Sequence, residues 1–173
     1  MKLLQYFLKD DGFFPNSHLP VLVYKNAITL PVFFKGPKVK ELFRKHHWTN
    51  NWRNGIYTYH HYHSNTHEVM AVISGKTVVA LGGEHGLTVT IEKGDVIIIP
   101  AGVAHRNMGK EKDVICIGGY PGGKDFDMMY GKKEERPDAL ERIAKVKIPG
   151  FDPVKGKNGP MNRIWNESAE KFS

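Results

Sequence analysis

Short apolar segments alternate with turn residues along the middle of the chain. Residues 87–91 place leucine, valine and isoleucine at every second position with threonine between them, a period typical of a half-buried strand. Residues 96–99 form a continuous apolar run that suits a core strand, and residues 114–120 form another apolar segment. Glycine and proline recur at roughly ten-residue intervals through this region, which marks turns between short strands. The pattern predicts an all-β sandwich or barrel.

The two flanks of this β region carry different patterns. Residues 38–47 repeat apolar side chains at helical spacing with charges between them, so a short N-terminal helix is predicted. In the C-terminal region, Pro137 opens a stretch, residues 137–143, that suits a helix with proline in its first turn. The prolines and glycines that follow predict an irregular C-terminal extension over the domain, pinned by Ile164 and Trp165.

Length and composition fit one folded domain. The chain has 173 residues, of which 40% are hydrophobic and 25% charged, as is ordinary for a globular protein. We expect a single domain over residues 1–173, with N-terminal strands and a helix in 1–54, a barrel core in 55–120 and an extension in 121–173. Because no apolar run approaches the roughly twenty residues of a membrane span, we expect no membrane partner and a cytoplasmic location.

The net charge of +7 raises the question of nucleic-acid binding. The lysines and arginines occur as scattered pairs near acidic residues or turns, without a dense basic run, so a solvated surface is the better interpretation. We therefore predict no nucleic-acid partner. The single cysteine, Cys116, excludes an intramolecular disulfide, and its apolar surroundings in the sequence indicate a small buried side chain.

Four histidines and a glutamate lie within residues 60–68. The segment before them reads as a strand, and strand side chains alternate between faces, so His61 and His63 are expected on one face. Two imidazoles at this spacing suit a divalent metal, and a carboxylate from Glu68 can join them. The neighbouring His67 competes for that position, because the loop that precedes it resets the register of alternation.

The positions around these histidines follow from the same alternation. Tyr57 and Tyr59 share the parity of His61, so they either line a cavity beside it or pack as core aromatics. Met70 and Asn107 are further candidates for the cavity wall. The sequence therefore predicts a metal site with aromatic side chains close by.

Two glycine-bracketed blocks contain the candidate ligands. The first runs from Gly55 through the histidine cluster to Gly75, and the second runs from Gly94 through a Pro-x-Gly turn to His105. In order and in internal spacing, both blocks resemble the two sequence motifs of the cupin superfamily. The resemblance implies an all-β fold with a single cupin-type jelly-roll β-barrel. The metal ligands that it implies are His61, His63, Glu68 and His105.

The family spacing bears on the choice between neighbouring side chains. It favours Glu68 over His67 as the fourth ligand, and His67 is then expected to support the ligands from behind. One position departs from the motif: where the second block usually ends in asparagine, this chain has Gly109. That difference leaves the four ligand positions unaffected.

A closer resemblance covers nearly the whole chain, from about Tyr6 to Trp165. Several short phrases are similar to the YjlB-type single-domain cupins, a group without an assigned reaction. The segments that carry this similarity are residues 61–69, 81–84, 100–103, 120–123, 135–137 and 152–154.

Such a site is compatible with two classes of function. The first is a metal-dependent enzyme acting on a small organic substrate, either a dioxygenase or an isomerase or lyase. The second is a non-catalytic module that binds a small ligand, because one scaffold supports many functions. One divalent transition metal is expected, with iron, manganese or nickel favoured and zinc or copper compatible with imidazole. No side chain can be assigned a catalytic role. The resemblance also implies a homodimer.

Overall fold

Antiparallel strands make up most of the regular structure in this computed structural model, which describes residues 1–171. The strands, in chain order, are β1 (Lys2–Leu8), β2 (Ser17–Lys25), β3 (Trp48–Asn54), β4 (Glu68–Leu81), β5 (Leu87–Glu92), β6 (Val96–Ile99), β7 (His105–Asn107), β8 (Val114–Pro121), β9 (Phe151–Asp152) and β10 (Gly156–Lys157). The helices are α1 (Lys35–Lys45), α2 (Arg136–Lys145) and α3 (Pro160–Glu170), with short 3-10 turns at Glu111–Asp113 and Lys133–Glu135.

The long strand β4 joins two parts of the main sheet. Its first half lies between β6 and β8, within the strand order β1-β2-β6-β4-β8-β3. Its second half pairs instead with β5 and β7. The register with β8 shifts between Val72 and Ser74, and Gly75 follows at φ +80°, a value that favours glycine. The irregularity lies where the strand passes from one set of partners to the other.

Alternation along β4 sorts its side chains into two apolar clusters. Val69 faces the first cluster, which includes side chains of α1 and Trp165 of α3. Met70 faces the second, which we call the inner cluster and which includes side chains of β5, β6 and β8. Glu68 lies two residues before Met70 and therefore shares its face, whereas His67 has the parity of Val69.

The mostly β, antiparallel architecture confirms the predicted fold class in its coarse form. The observed pairings form an open path that ends at β1 and β3, so closure into a jelly-roll barrel stays a prediction. The expected N-terminal helix is present as α1, three residues earlier than predicted, and α2 covers the predicted helix at residues 137–143. Among the residues described, no helix has the length and apolar character to cross a membrane.

The expectation of an irregular C-terminal extension is wrong for its last part. Residues 160–170 form α3, which begins with Pro160 in its first turn, a position where proline's fixed φ suits a helix. Ile164 and Trp165 are buried, as expected, and the Trp165 indole N–H donates to the Pro20 carbonyl at 2.9 Å. The helix thus packs on β2 through its apolar face.

A buried carboxylate fixes this extension to the sheet. Asp152 is fully buried, and its Oδ1 accepts the backbone N–H groups of Val154 and Lys155 at 2.8 and 2.9 Å. Its Oδ2 accepts the Tyr24 hydroxyl of β2 at 2.5 Å and the Met161 N–H at the start of α3 at 3.0 Å. One side chain therefore ties β2, β9 and α3 together.

Candidate metal centre

Three buried histidines from two parts of the chain meet beside the inner cluster. A backbone bridge holds His61 against His105, with N–H to carbonyl distances of 3.2 and 2.9 Å. His63 lies next to them, and one ring nitrogen of each histidine lies within 4.8 Å of the others. Residues 57–59, the segment before the histidines, form no strand and bend at residues 58 and 59, so the backbone bridge rather than a long strand sets the orientation of His61.

Backbone carbonyls fix the orientation of all three imidazoles. The Nδ1 atoms of His61 and His105 lie 3.1 Å from the carbonyl oxygens of Tyr59 and Val103. The Nδ1 atom of His63 lies 2.5 Å from the Asp127 carbonyl. A carbonyl only accepts, so each Nδ1 carries the proton and donates it. The Nε2 atoms are then unprotonated, with lone pairs available to a metal ion.

Glu68 adds a carboxylate oxygen to the same place. Its Oε2 lies 3.4 Å from Nε2 of His63 and 3.3 Å from Nε2 of His105. This oxygen is buried and has no hydrogen-bond donor. The unprotonated Nε2 atoms of His63 and His105 and the anionic oxygen that they face repel one another unless a cation lies between them. The donor set, imidazole with carboxylate, therefore fits a divalent transition metal.

The ionisation states of these groups agree with that role. Burial and the neighbouring His105 lower the pKa of His61 to about 3, so its imidazole stays neutral. Burial opposes ionisation of Glu68, but the adjacent imidazoles of His63 and His105 hold its pKa well below its usual range. Burial likewise disfavours a charged His63, yet the Glu68 carboxylate raises its pKa. Glu68 and His63 together therefore favour a positive charge between them, which a metal ion can supply.

Tyr120 holds the other oxygen of Glu68. Its hydroxyl donates to Oε1 at 3.0 Å and accepts the Trp52 indole N–H at 2.9 Å. A Cβ at Gly118 would lie 1.9 Å from Cε2 of Trp52, so glycine at this position leaves room for the indole. Burial and the Glu68 charge raise the pKa of Tyr120, which keeps its proton and remains a donor. The contact leaves Oε2 free to face the histidines.

Substituting Tyr120→Phe should leave the buried Glu68 Oε1 and the partly buried Trp52 N–H without partners. We expect the free energy of unfolding, measured by urea titration, to fall by about 1–3 kcal/mol. Tyr57→Phe is the matched control, because this tyrosine also contacts the cavity but is 41% exposed. It should change the unfolding free energy by less than about 0.5 kcal/mol. Equal effects of the two substitutions would contradict the role given to the Tyr120 hydroxyl.

The proposed ligands lie in the wall of a cavity of about 260 Å³. This volume is near the lower limit of about 300 Å³ for ligand pockets, so its occupant must be small. Polar amides and apolar rings both contribute to the wall. The residues in the wall beyond the four candidate ligands include Asn50, Asn51, Trp52, Ile56, Tyr57, Met70, Tyr120, Phe126 and Met128.

Predicted cavity residues fall into two groups. Tyr57 and Met70 line the cavity. Tyr59 stacks on Tyr57 with ring centroids 5.0 Å apart and is 45% exposed. The prediction for Asn107 is corrected, because its side chain organises a turn: Oδ1 accepts the Thr77 hydroxyl at 2.5 Å and the N–H of Gly109 at 2.9 Å.

The expectation that His67 supports the ligands is also corrected. Its ring packs on Trp165 with centroids 4.7 Å apart, on the face of β4 opposite Glu68. Its Nδ1 accepts the Ala101 N–H at 3.0 Å. Burial lowers the pKa of His67 to about 4, so it is a neutral core imidazole. Because Glu68 and His67 are consecutive, their side chains point to opposite faces. Glu68 faces the candidate metal centre, and His67 faces α3.

Three residues at the site were missed by the sequence interpretation. Tyr120 holds Glu68, Trp52 holds Tyr120, and the backbone of Asp127 holds His63. Tyr120 and Asp127 are separated from their ligands by 52 and 64 residues. No local spacing in the sequence relates such distant positions.

Comparison with known proteins places these features in a family. A family model described as a cupin domain matches residues 53–117, which contain all four candidate ligands. The chain is 40% identical over 162 residues to the uncharacterized protein YjlB of Bacillus subtilis (strain 168), covering 92% of this chain and 94% of that protein.

Solved structures give weaker likenesses. Acireductone dioxygenase from Bacillus anthracis, solved with a cadmium ion in its active centre, has a TM-score of 0.46 and 16% identity, covering 64% of this chain and 83% of that one. A mutant of the Bacillus subtilis oxalate decarboxylase has a TM-score of 0.39 and 17% identity, covering 64% of this chain and 27% of that one.

Proposed function

This chain belongs to the cupin family, as a relative of YjlB, and we propose that it binds one divalent transition metal and acts on a small organic molecule beside it. The proposed ligands are His61, His63, Glu68 and His105. The observation that carries the proposal is a group of three imidazole nitrogens within 4.8 Å of one another at a cavity, two of which lie 3.3–3.4 Å from a buried, unpaired carboxylate oxygen. Four protein ligands leave about two positions of an octahedral ion for a substrate or water.

The chain's own residues prepare the site. Backbone carbonyls hold each imidazole in one tautomer, and Tyr120 holds the Glu68 carboxylate by one oxygen. Phe126 and Met128 form an apolar part of the cavity wall. A metal bound here would supply either activation of dioxygen or polarisation of a substrate carbonyl or enediol.

The donor set supports iron, manganese or nickel as the resident metal, with zinc or copper as alternatives. The one cysteine of the chain, Cys116, belongs to the inner cluster, and burial raises the pKa of its thiol. A thiolate-rich structural zinc site is therefore a poor match for this chain. The homodimer, the cytoplasmic location, the closed barrel and the domain boundaries stay predictions.

Turnover assays on the metal-loaded protein test the proposed activity. Protein loaded separately with Fe²⁺, Mn²⁺ and Ni²⁺ would be mixed with small organic acids, thiols and catechols, with oxygen uptake and product NMR spectra recorded. We expect turnover of at least one compound with one metal, and none with His61→Ala treated identically. A compound that raises the melting temperature without turnover would indicate a non-catalytic binding module. The absence of both turnover and binding would contradict a role on small molecules.

A further inference from the structure

A short segment of the C-terminal region is fastened alongside the histidine segment. We call residues 125–129 the strap. A two-way backbone bridge joins Tyr62 and Met129 at 2.9 and 3.0 Å. The side chain of Asn65 donates to the Asp125 carbonyl at 3.0 Å and accepts the Asp127 N–H at 3.2 Å. The strap therefore runs antiparallel to the residues that carry His63.

The strap contacts the candidate metal centre directly. The Asp127 carbonyl accepts the Nδ1 proton of His63, and that contact sets which nitrogen of this imidazole faces Glu68. The next residue on one side, Phe126, packs its ring 4.9 Å from the His63 ring and 4.8 Å from that of Tyr120. Any displacement of the strap must therefore disturb His63 as well as the cavity wall.

The side chain of Asp127 fastens the strap at its centre. Its carboxylate accepts the backbone N–H of Ser64 at 2.6 Å and also the Ser64 hydroxyl. Arg142 of α2 completes the cluster, since its Nε donates to the Ser64 hydroxyl at 2.6 Å and lies 3.2 Å from the Asp127 carboxylate. Its Nη2 also lies 3.5 Å from the Met129 sulfur. One guanidinium thus contacts both the strap and the residue after His63.

We propose that Arg142 is a positioning residue, which holds His63 in its metal-binding orientation through Asp127 and Ser64. The inference rests on the proposed function, because it assumes that His63 is a metal ligand. Partners of metal-bound histidines orient the ring, and their loss typically weakens metal affinity by roughly 10- to 100-fold. Helix α2 lies outside the sheet, so a residue of a surface helix would affect the metal affinity of the site.

The chain offers a matched control on the same helix. Arg136 also pairs with a carboxylate, that of Asp10, and its Nη1 lies 3.4 Å from the Gly12 carbonyl. Both arginine side chains are partly exposed, 26% for Arg136 and 39% for Arg142. Arg136→Met should remove an ion pair of similar exposure without touching the strap. Arg142→Lys keeps the charge near Asp127 but loses the geometry of the guanidinium.

Two readouts test the proposal on wild type, Arg142→Met, Arg142→Lys and Arg136→Met. The first is the Co²⁺ dissociation constant from calorimetry, which should rise roughly tenfold in Arg142→Met, less in Arg142→Lys and not at all in Arg136→Met. The second is the ¹⁵N NMR spectrum of His63 without added metal. A fully protonated Nδ1 of His63 is expected in wild type, and partial loss of that proton from Nδ1 is expected in Arg142→Met.

The outcomes separate the inference from the function on which it rests. If wild type binds Co²⁺ but Arg142→Met matches Arg136→Met in both readouts, the positioning role is overturned and the metal site stands. If wild type binds no Co²⁺, the proposed function and the effect on metal affinity are both overturned. The melting temperature of each variant shows whether it is folded. If Arg142→Met does not fold, the comparison is made with the conservative variant Arg142→Lys.

Discussion

The His61→Ala protein should retain less than about one-tenth of an equivalent of transition metal, against about one equivalent in wild type, when both are purified without a metal-affinity tag. The substitution removes one of three imidazoles that the backbone has already oriented. Because one of four preorganised ligands is lost and nothing replaces it, we expect the affinity to fall far enough for the ion to dissociate during purification. Elemental analysis by mass spectrometry measures the result.

The adjacent histidine supplies the control for this experiment. His60 packs on Phe14, with ring centroids 5.4 Å apart, and its Nε2 lies 3.5 Å from Glu84. Its side chain is thus directed to a different part of the molecule from His61. His60→Ala should keep the metal content of wild type. Equal metal loss in the two variants would indicate a folding effect and would contradict a specific role for His61.

The Asp152→Ala protein should be far less stable than wild type, with a free energy of unfolding about 3–5 kcal/mol lower. The change removes a buried carboxylate that accepts four hydrogen bonds, three from backbone N–H groups and one from the Tyr24 hydroxyl. All four donors would lose their partner at once, and α3 would lose one of its attachments to β2. Urea unfolding followed by tryptophan fluorescence and circular dichroism measures the difference.

An exposed aspartate supplies the comparison. Asp138 lies in the first turn of α2, where a carboxylate interacts favourably with the helix dipole. Asp138→Ala should lower the unfolding free energy by about 1 kcal/mol or less. A loss of similar size for Asp152→Ala would contradict the view that the buried carboxylate anchors the C-terminal extension.

The sequence could identify the candidate ligands because their spacing is local within two short blocks. His61 and His105 come together through one backbone bridge between those blocks, and His63 follows two residues after His61. The sequence also contains the information that decides between Glu68 and His67 as the fourth ligand. Counting back along the apolar strand from Met70, rather than forward from His63, assigns Glu68 to the inner face.

Other parts of the site depend on contacts between distant residues. The strap approaches His63 from more than sixty residues away, and nothing near Asp127 in the sequence marks it as a partner of an imidazole. The sequence predicts a strand at residues 57–59, but the segment bends at residues 58 and 59, and the Tyr57 carbonyl accepts the N–H of Asn107. Tertiary contacts decided the conformation in both places.

In the C-terminal extension the sequence interpretation made a different error, because it predicted no helix where α3 forms. Glycine and proline at residues 149–160 were interpreted as signs of irregular structure throughout the extension. Proline disrupts a helix interior but is favoured in the first turn, where Pro160 lies. The apolar positions Ile164 and Trp165 had already indicated a buried face. A helix that starts at the proline accounts for both observations.

Anomalous diffraction at the cobalt absorption edge, from a crystal of the protein grown with Co²⁺, would locate the ion among its proposed ligands. We expect one strong anomalous peak at about 2.0–2.2 Å from Nε2 of His61, His63 and His105 and from Oε2 of Glu68. No peak at this position, or a peak bound by His67 instead of Glu68, would contradict the proposed metal site.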